Sequence, residues 1–168
     1  ITEKSGTYNK GGTQVPALIN TNVNKALFAG AEAELLWFIN QNFSLNSNFS
    51  YVNARDMSDG SFLPQIPPMR GEITLNYHLD KLFDISFSAL ATKAKTDLAA
   101  NEKAVDGYVI LNTQLKSAPI KVKQSAFTLF AGVDNILNQA YYNFLNTARG
   151  INRLEPGRNI YAKVKWEW

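Results

Sequence analysis

Cysteine is absent from the 168 residues, which excludes a disulfide framework, a thiolate metal site and a thiol nucleophile. Histidine occurs once, as His78, so a His-based catalytic triad or a zinc site is not expected. Charge is scarce: 18% of residues are charged, below the roughly 25% of a soluble domain. The net charge of +3 comes from scattered Lys and Arg without a long basic run, and nucleic-acid binding normally needs a basic face. No window of about 20 apolar residues exists, so no membrane-spanning helix is predicted. No targeting segment is visible in the sequence. Ile1 opens a polar stretch without an initiating Met, and the chain is expected to be a processed product or a fragment.

Aromatic residues, at 12%, are abundant, and hydrophobic residues make up 45%. Few charges beside many rings and many small polar residues fit a barrel with an apolar outside and a wet inside. The same composition fits a β-sandwich. The mean hydropathy of −0.20 does not separate the two, because alternating strands hide their apolar face in an average.

Period-2 alternation in segments of about ten residues dominates the chain. The first predicted strand, Ala26 to Ile39, carries Ala29, Ala31, Ala33, Leu35, Trp37 and Ile39 on one face, with Glu32 and Glu34 on the other. The second, Phe43 to Val52, sets Phe43, Leu45, Phe49 and Tyr51 against Ser44, Asn46, Asn48 and Ser50. The third is Gly71 to Tyr77, the fourth Leu82 to Thr92, the fifth Gly107 to Lys116, the sixth Ser125 to Asp134 and the seventh Arg158 to Trp168. Before Ala26 the pattern weakens; Ile1 to Tyr8 and Leu18 to Asn24 are expected as strands flanking the turn-like Lys10-Gly11-Gly12.

Connection lengths alternate. Asn40–Asn42, His78–Lys81 and Ser117–Gln124 are short, whereas Asn53–Arg70, Lys93–Asp106 and Asn135–Gly157 are long. Short turns at one end and long loops at the other are the pattern of an antiparallel up-and-down outer-membrane barrel. A sandwich, whose connections often cross between sheets, has no reason to segregate them. Lipid demands that every backbone polar group be bonded to a neighbouring strand and that the outer row be apolar. Glu32, Glu34, Glu72 and Asp84 all fall on the predicted lumen side. Rings flank the short turns, Trp37 with Phe43 and Tyr77 with Phe83, as an interfacial girdle requires. Ordinary packing of aromatics inside a sandwich would explain single rings equally well.

The last strand places Ile160, Ala162, Val164, Trp166 and Trp168 in one unbroken apolar row and ends on an aromatic. It resembles the C-terminal signal that outer-membrane barrels present to the barrel-assembly machinery. Two further stretches narrow the resemblance. One is Leu63-Pro64-Gln65-Ile66-Pro67-Pro68-Met69-Arg70-Gly71. The other is Gly132-Val133-Asp134-Asn135-Ile136-Leu137-Asn138-Gln139-Ala140-Tyr141-Tyr142, followed by Glu155-Pro156-Gly157-Arg158-Asn159. From about Ala26 to Trp168 the chain is similar to the C-terminal part of the barrel domain of TonB-dependent outer-membrane receptors.

That resemblance implies an all-β transmembrane fold in which residues 1–168 supply about seven or eight strands of a larger barrel of about 22 strands. The family's N-terminal plug domain is not in this sequence. A small barrel closed on its own strands is the other form considered, since eight strands suffice. The resemblance further implies a multi-pass protein of the bacterial outer membrane that imports a scarce nutrient: an iron–siderophore complex, haem, cobalamin or a glycan. Its partners would be membrane lipid, the assembly machinery, TonB acting through the plug, and the small ligand; no cofactor and no enzymatic activity are expected. Ligand contacts are expected in the last long loop, at Tyr141, Tyr142, Asn143, Arg149 and Arg153, where Arg can pair with carboxylate or phosphate. Packing of the loop on itself would account for the same residues. Arg158, after Pro-Gly, is expected to be structural. The alternatives are a complete small outer-membrane barrel with a structural or adhesive role and a soluble barrel carrying a small ligand. Glu32 and Glu34, two apart on a strand, share a face and need not form a catalytic pair.

Overall fold

A computed structural model describes residues 2–20, 22, 24–80 and 82–168. Among the described residues ten strands form: β1 (Thr2–Lys10), β2 (Thr13–Asn20), β3 (Ala26–Phe38), β4 (Phe43–Asp56), β5 (Arg70–Leu79), β6 (Phe83–Thr92), β7 (Tyr108–Ser117), β8 (Ile120–Val122), β9 (Ser125–Asp134) and β10 (Asn159–Glu167). One short helix, α1, spans Phe144–Ala148. β1 and β2 make a separate hairpin, and the others form one antiparallel sheet in the order β10-β9-β7-β6-β5-β4-β3, with β8 beside β9. The sheet does not close: β3 pairs only with β4, and β10 only with β9, among the described residues. The fold is therefore a partial up-and-down barrel; the strands described here do not close a barrel of their own.

All seven predicted strands are present; Ser125–Asp134 keeps both its predicted ends, and the other six are shifted at one or both. β4 continues past Val52 to Asp56, so the first long loop begins at Met57. β5 continues to Leu79, which shortens the expected His78–Lys81 turn; Leu82 N–H closes it on Leu79 O at 3.0 Å. The Ser117–Gln124 link contains β8, which pairs Ile120 with Phe127 and Val122 with Ser125. The strand expected over Leu18–Asn24 instead starts at Thr13 and ends at Asn20, with Thr21 and Val23 outside the described residues. The turn at Gly11 and Gly12 does form, and both have positive φ, a backbone that glycine adopts without steric cost.

Register decides which side chains share a face, because paired residues of antiparallel strands project to the same side. One row runs Trp37–Leu45–Leu75–Phe87–Thr113–Val133–Ile160 across seven strands. The next runs Phe43–Tyr77–Ile85–Leu115–Ala131–Ala162. The predicted apolar rows thus merge into one continuous face. Its side chains are not covered: Trp37 is 54% exposed, Phe87 54%, Leu129 45% and Trp166 57%. A water-soluble sandwich would hide this face under a second sheet. Thr113 sits in the apolar face with its hydroxyl donating to Ser86 O at 3.1 Å, so it leaves no unpaired hydroxyl on that face.

The opposite face is polar. Its rows read Leu36–Asn46–Thr74–Ser88–Asn112 and Glu34–Asn48–Glu72–Leu90–Ile110. Ser86 donates to Asn76 at 2.8 Å, Asn112 to Ser88 at 3.2 Å and Gln114 to the Tyr161 hydroxyl at 2.8 Å. Tyr161 lies over Gly132, its register partner, where an added Cβ would come within 2.5 Å of the ring. The ring covers the strip of sheet that the glycine leaves bare.

Rings gather on the apolar face near the short turns. Phe43 and Tyr77 are 4.8 Å apart between centroids, Phe127 and Trp166 6.3 Å, and Trp166 and Trp168 5.3 Å. The three tryptophans of the chain, Trp37, Trp166 and Trp168, all stand at this end. Amphipathic rings favour the level of lipid headgroups.

Candidate functional site

The long loops gather at the other end of the sheet, above its polar face. The last of them, 135–158, is built around one buried side chain. Asn135 is 3% exposed. Its Nδ2 donates to Gln139 O at 2.9 Å and Pro156 O at 3.4 Å, and its Oδ1 accepts from Gln139 N–H at 2.8 Å. Its own N–H donates to Asn112 Oδ1 on β7 at 2.9 Å. One residue, through its side-chain amide and its backbone N–H, therefore ties the loop's entry to its exit and both to the barrel wall.

Asn138 repeats the device. Its Oδ1 accepts the Arg158 N–H at 2.9 Å, and Gly157 opposite has no room for a side chain, since a Cβ would lie 2.6 Å from that oxygen. Arg158 Nε donates to Ile136 O at 2.8 Å, in agreement with a structural role. Asn135 and Asn138 both have φ of +52°, a left-handed backbone that Asn tolerates better than most residues.

Between these anchors the chain folds into α1. Asn143 caps it: its Oδ1 accepts Leu145 N–H at 3.0 Å, the usual service of an N-cap side chain. Phe144, 2% exposed, plugs the loop, with Lys95 Nζ of the preceding long loop 5.6 Å from its ring centre. Asn146 Nδ2 donates to Glu155 Oε1, and Glu155 N–H to Tyr141 O at 3.0 Å.

A concave pocket of about 690 Å³ opens beneath, lined by Leu90, Ile110, Asn112, Asp134, Tyr141 and Arg158 among others. Tyr141 lies 4.3 Å from Tyr108 between ring centres. Partial burial is the main cause that raises its phenol above the ordinary tyrosine value, with Tyr108 and Glu155 adding to it. The phenol thus stays a neutral donor well into alkaline solution. Apolar walls with a few convergent polar groups are the usual build of a small-molecule site.

Of the five residues singled out from the sequence, the structure brings Tyr141 to this pocket. Tyr142 is exposed at 43%. Asn143 is engaged in capping. Arg149 and Arg153 are exposed on the loop, and neither has an acidic partner among the described residues. Asp134, Asn112 and Tyr108 were not singled out, since each reads as an ordinary strand residue; strand pairing and the fold of the last loop bring them together. Among the described residues no group of three His, Cys, Asp or Glu could hold a metal ion, and no helix is long and apolar enough to cross a membrane. His78, on the polar face beside a short turn, meets Asp84 at 2.8 Å, with Lys116 3.4 Å from the same carboxylate.

Residues 1–136 match the family model of TonB dependent receptor-like β-barrels. Among solved structures the copper transporter OprC is similar, with a TM-score of 0.79 and 21% identity over 95% of this chain. The match takes in 25% of that structure's chain, so the present chain spans about a quarter of its length. At this identity the likeness concerns the fold. No curated protein matches the chain significantly.

Proposed function

The chain belongs to the family of TonB dependent receptor-like β-barrels, and from that premise we propose that it forms the C-terminal wall of an outer-membrane transporter that imports a scarce nutrient with energy delivered through TonB. The observation that carries the reading is the sidedness of the sheet. One face is apolar and uncovered across seven strands, the other is polar, and the long loops gather at one end. Such a sheet suits lipid outside and water inside. In this reading the loops 57–69, 93–107 and 135–158 face the exterior and the short turns face the periplasm. The row Ile160, Ala162, Val164, Trp166 and Trp168 serves as the assembly signal: β10 offers a free edge that another strand can pair with.

The loop favours a bulky anionic ligand. Arg149 and Arg153 stand exposed without acidic partners among the described residues, and guanidinium binds carboxylate or phosphate bidentately. Tyr142 offers a ring beside them. A ferric siderophore or haem fits this chemistry better than uncharged cobalamin or a neutral glycan.

Uptake in cells tests the assignment. Cells producing the protein receive, in parallel, radiolabelled ferric siderophore, haem, cobalamin, a labelled glycan and copper(II). Accumulation of an anionic chelate should depend on TonB. The double change Arg149→Ala and Arg153→Ala should weaken its binding by about tenfold to a hundredfold, the loss of one or two charge-assisted contacts. TonB-independent accumulation of every label would contradict the transporter reading. Unchanged affinity in the double variant would remove the two arginines from the site.

A further inference from the structure

The outer row of β4 becomes steadily more polar toward the long loops, through Phe49, Tyr51 and Asn53 to Arg55. On β3 the last apolar residue of the outer row is Leu27, which pairs with Arg55. Met57 N–H donates to Lys25 O at 2.9 Å, which carries the register two residues beyond Leu27. Lys25 and Arg55 are therefore diagonal neighbours on the lipid-facing side, a relation that sets residues of adjacent strands about 7–8 Å apart. Both are exposed.

Arg55 is held in place. Its guanidinium lies 4.2 Å over the ring of Phe62, and one N–H reaches Gly60 O at 3.5 Å. A bridge between Arg55 and Phe62 keeps the ring on the same face. The remaining guanidinium donors have no acidic partner among the described residues, and nor does Lys25. The nearby acids are spoken for: Asp56 accepts from Ser58, and Asp59 from Ser61 N–H. At the opposite end the outer rows finish on rings such as Trp37, Phe43 and Trp166 instead.

A cation in the middle of a bilayer is costly, but that cost fades at the interface, where an anionic headgroup turns it into an attraction. We propose that Lys25 and Arg55 form a binding site for the phosphate of a phosphorylated lipid in the leaflet that the long loops face. Arg55, braced on Phe62, supplies fixed paired donors, and Lys25 supplies a mobile point charge. The site rests on the outer-membrane reading above and is separate from the nutrient pocket.

The protein is reconstituted in phosphatidylcholine bilayers with and without phosphatidic acid, and the lipids it retains on extraction are counted by native mass spectrometry. Phosphatidic acid should be retained in about tenfold preference over phosphatidylcholine, the effect of two interfacial cations. Lys25→Gln with Arg55→Gln should bring the ratio near one, while Lys163→Gln with Lys165→Gln on the polar face should leave it unchanged. A wild-type ratio near one, or a ratio that survives the Lys25/Arg55 double change, overturns the site. Displacement of the lipid by equimolar inorganic phosphate overturns its assignment to lipid. Protease protection in the same bilayers separates the two readings. A protected protein without preference removes only the site, and an unprotected one removes the barrel reading as well.

Discussion

Replacing Phe87 by Arg should destabilise the membrane-inserted protein by about 3–6 kcal/mol, whereas Ser88→Arg, one residue along, should cost less than about 1 kcal/mol. The contrast follows from register alone. Phe87 lies mid-strand in the row from Trp37 to Ile160, and Ser88 lies in the polar row with Thr74 and Asn112. Arginine on the lipid face near the midplane costs about 2–4 kcal/mol. Loss of the lipid-facing phenyl ring adds roughly another 1–2 kcal/mol to the expected total. On the other face a cation meets water and small polar side chains, where substitutions are tolerated. Urea titration of the protein folded into phosphatidylcholine vesicles measures both. Equal costs for the two changes would show that the faces do not differ in surroundings.

The second large effect is expected at Asn135. Asn135→Ala removes the donors and acceptor that hold Gln139 and Pro156. It also places a side chain unsuited to the left-handed region at φ of +52°. Unsatisfied buried groups cost about 1–3 kcal/mol, and the conformation adds roughly 1 kcal/mol. The loop should lose about 2–4 kcal/mol of its local stability. Trypsin reads this out at Arg149 and Arg153, which the same loop carries. Cleavage there should accelerate by about thirtyfold to a thousandfold if it tracks loop opening. Asn135→Gly, which keeps the backbone freedom and loses the amide, should fall between the wild type and the alanine variant. Cleavage at the wild-type rate in Asn135→Ala would show that the anchor is dispensable.

Most of the barrel wall was legible because its signal is repeated. A face shared by Leu45, Leu75, Phe87 and Ile160 is announced separately in each strand, and the pleat forces agreement between them. β8 escaped because three residues, Ile120–Val122, are too few to show a period. The end of β4 escaped for another reason: Asn53–Asp56 continues the ladder with β3, but no apolar row marks it. Helix α1 spans five residues, less than the length at which helical periodicity is visible. It is held by the Asn143 cap and the burial of Phe144 rather than by propensity.

The site was legible in part. Arg158 could be read as structural from its place after Pro-Gly. The importance of Asn135 could not, because its partners Gln139, Pro156 and Asn112 are distant in sequence or unremarkable in type. The available hint was that Asn recurs at positions 135 and 138, where left-handed turns favour it. The two arginines of the loop and the pocket beneath Tyr141 are placed by the fold of the loop, which no periodic pattern encodes.

The central claim, that the apolar face meets lipid, is tested most directly by the tryptophans. Trp37, Trp166 and Trp168 are the only three in the chain, and all belong to the ring-rich belt beside the short turns. With the protein in vesicles of brominated phosphatidylcholine, their fluorescence should be quenched strongly, most of all by bromine placed near the headgroups, and little by aqueous iodide. Efficient quenching by iodide with none from the brominated lipids would contradict the account.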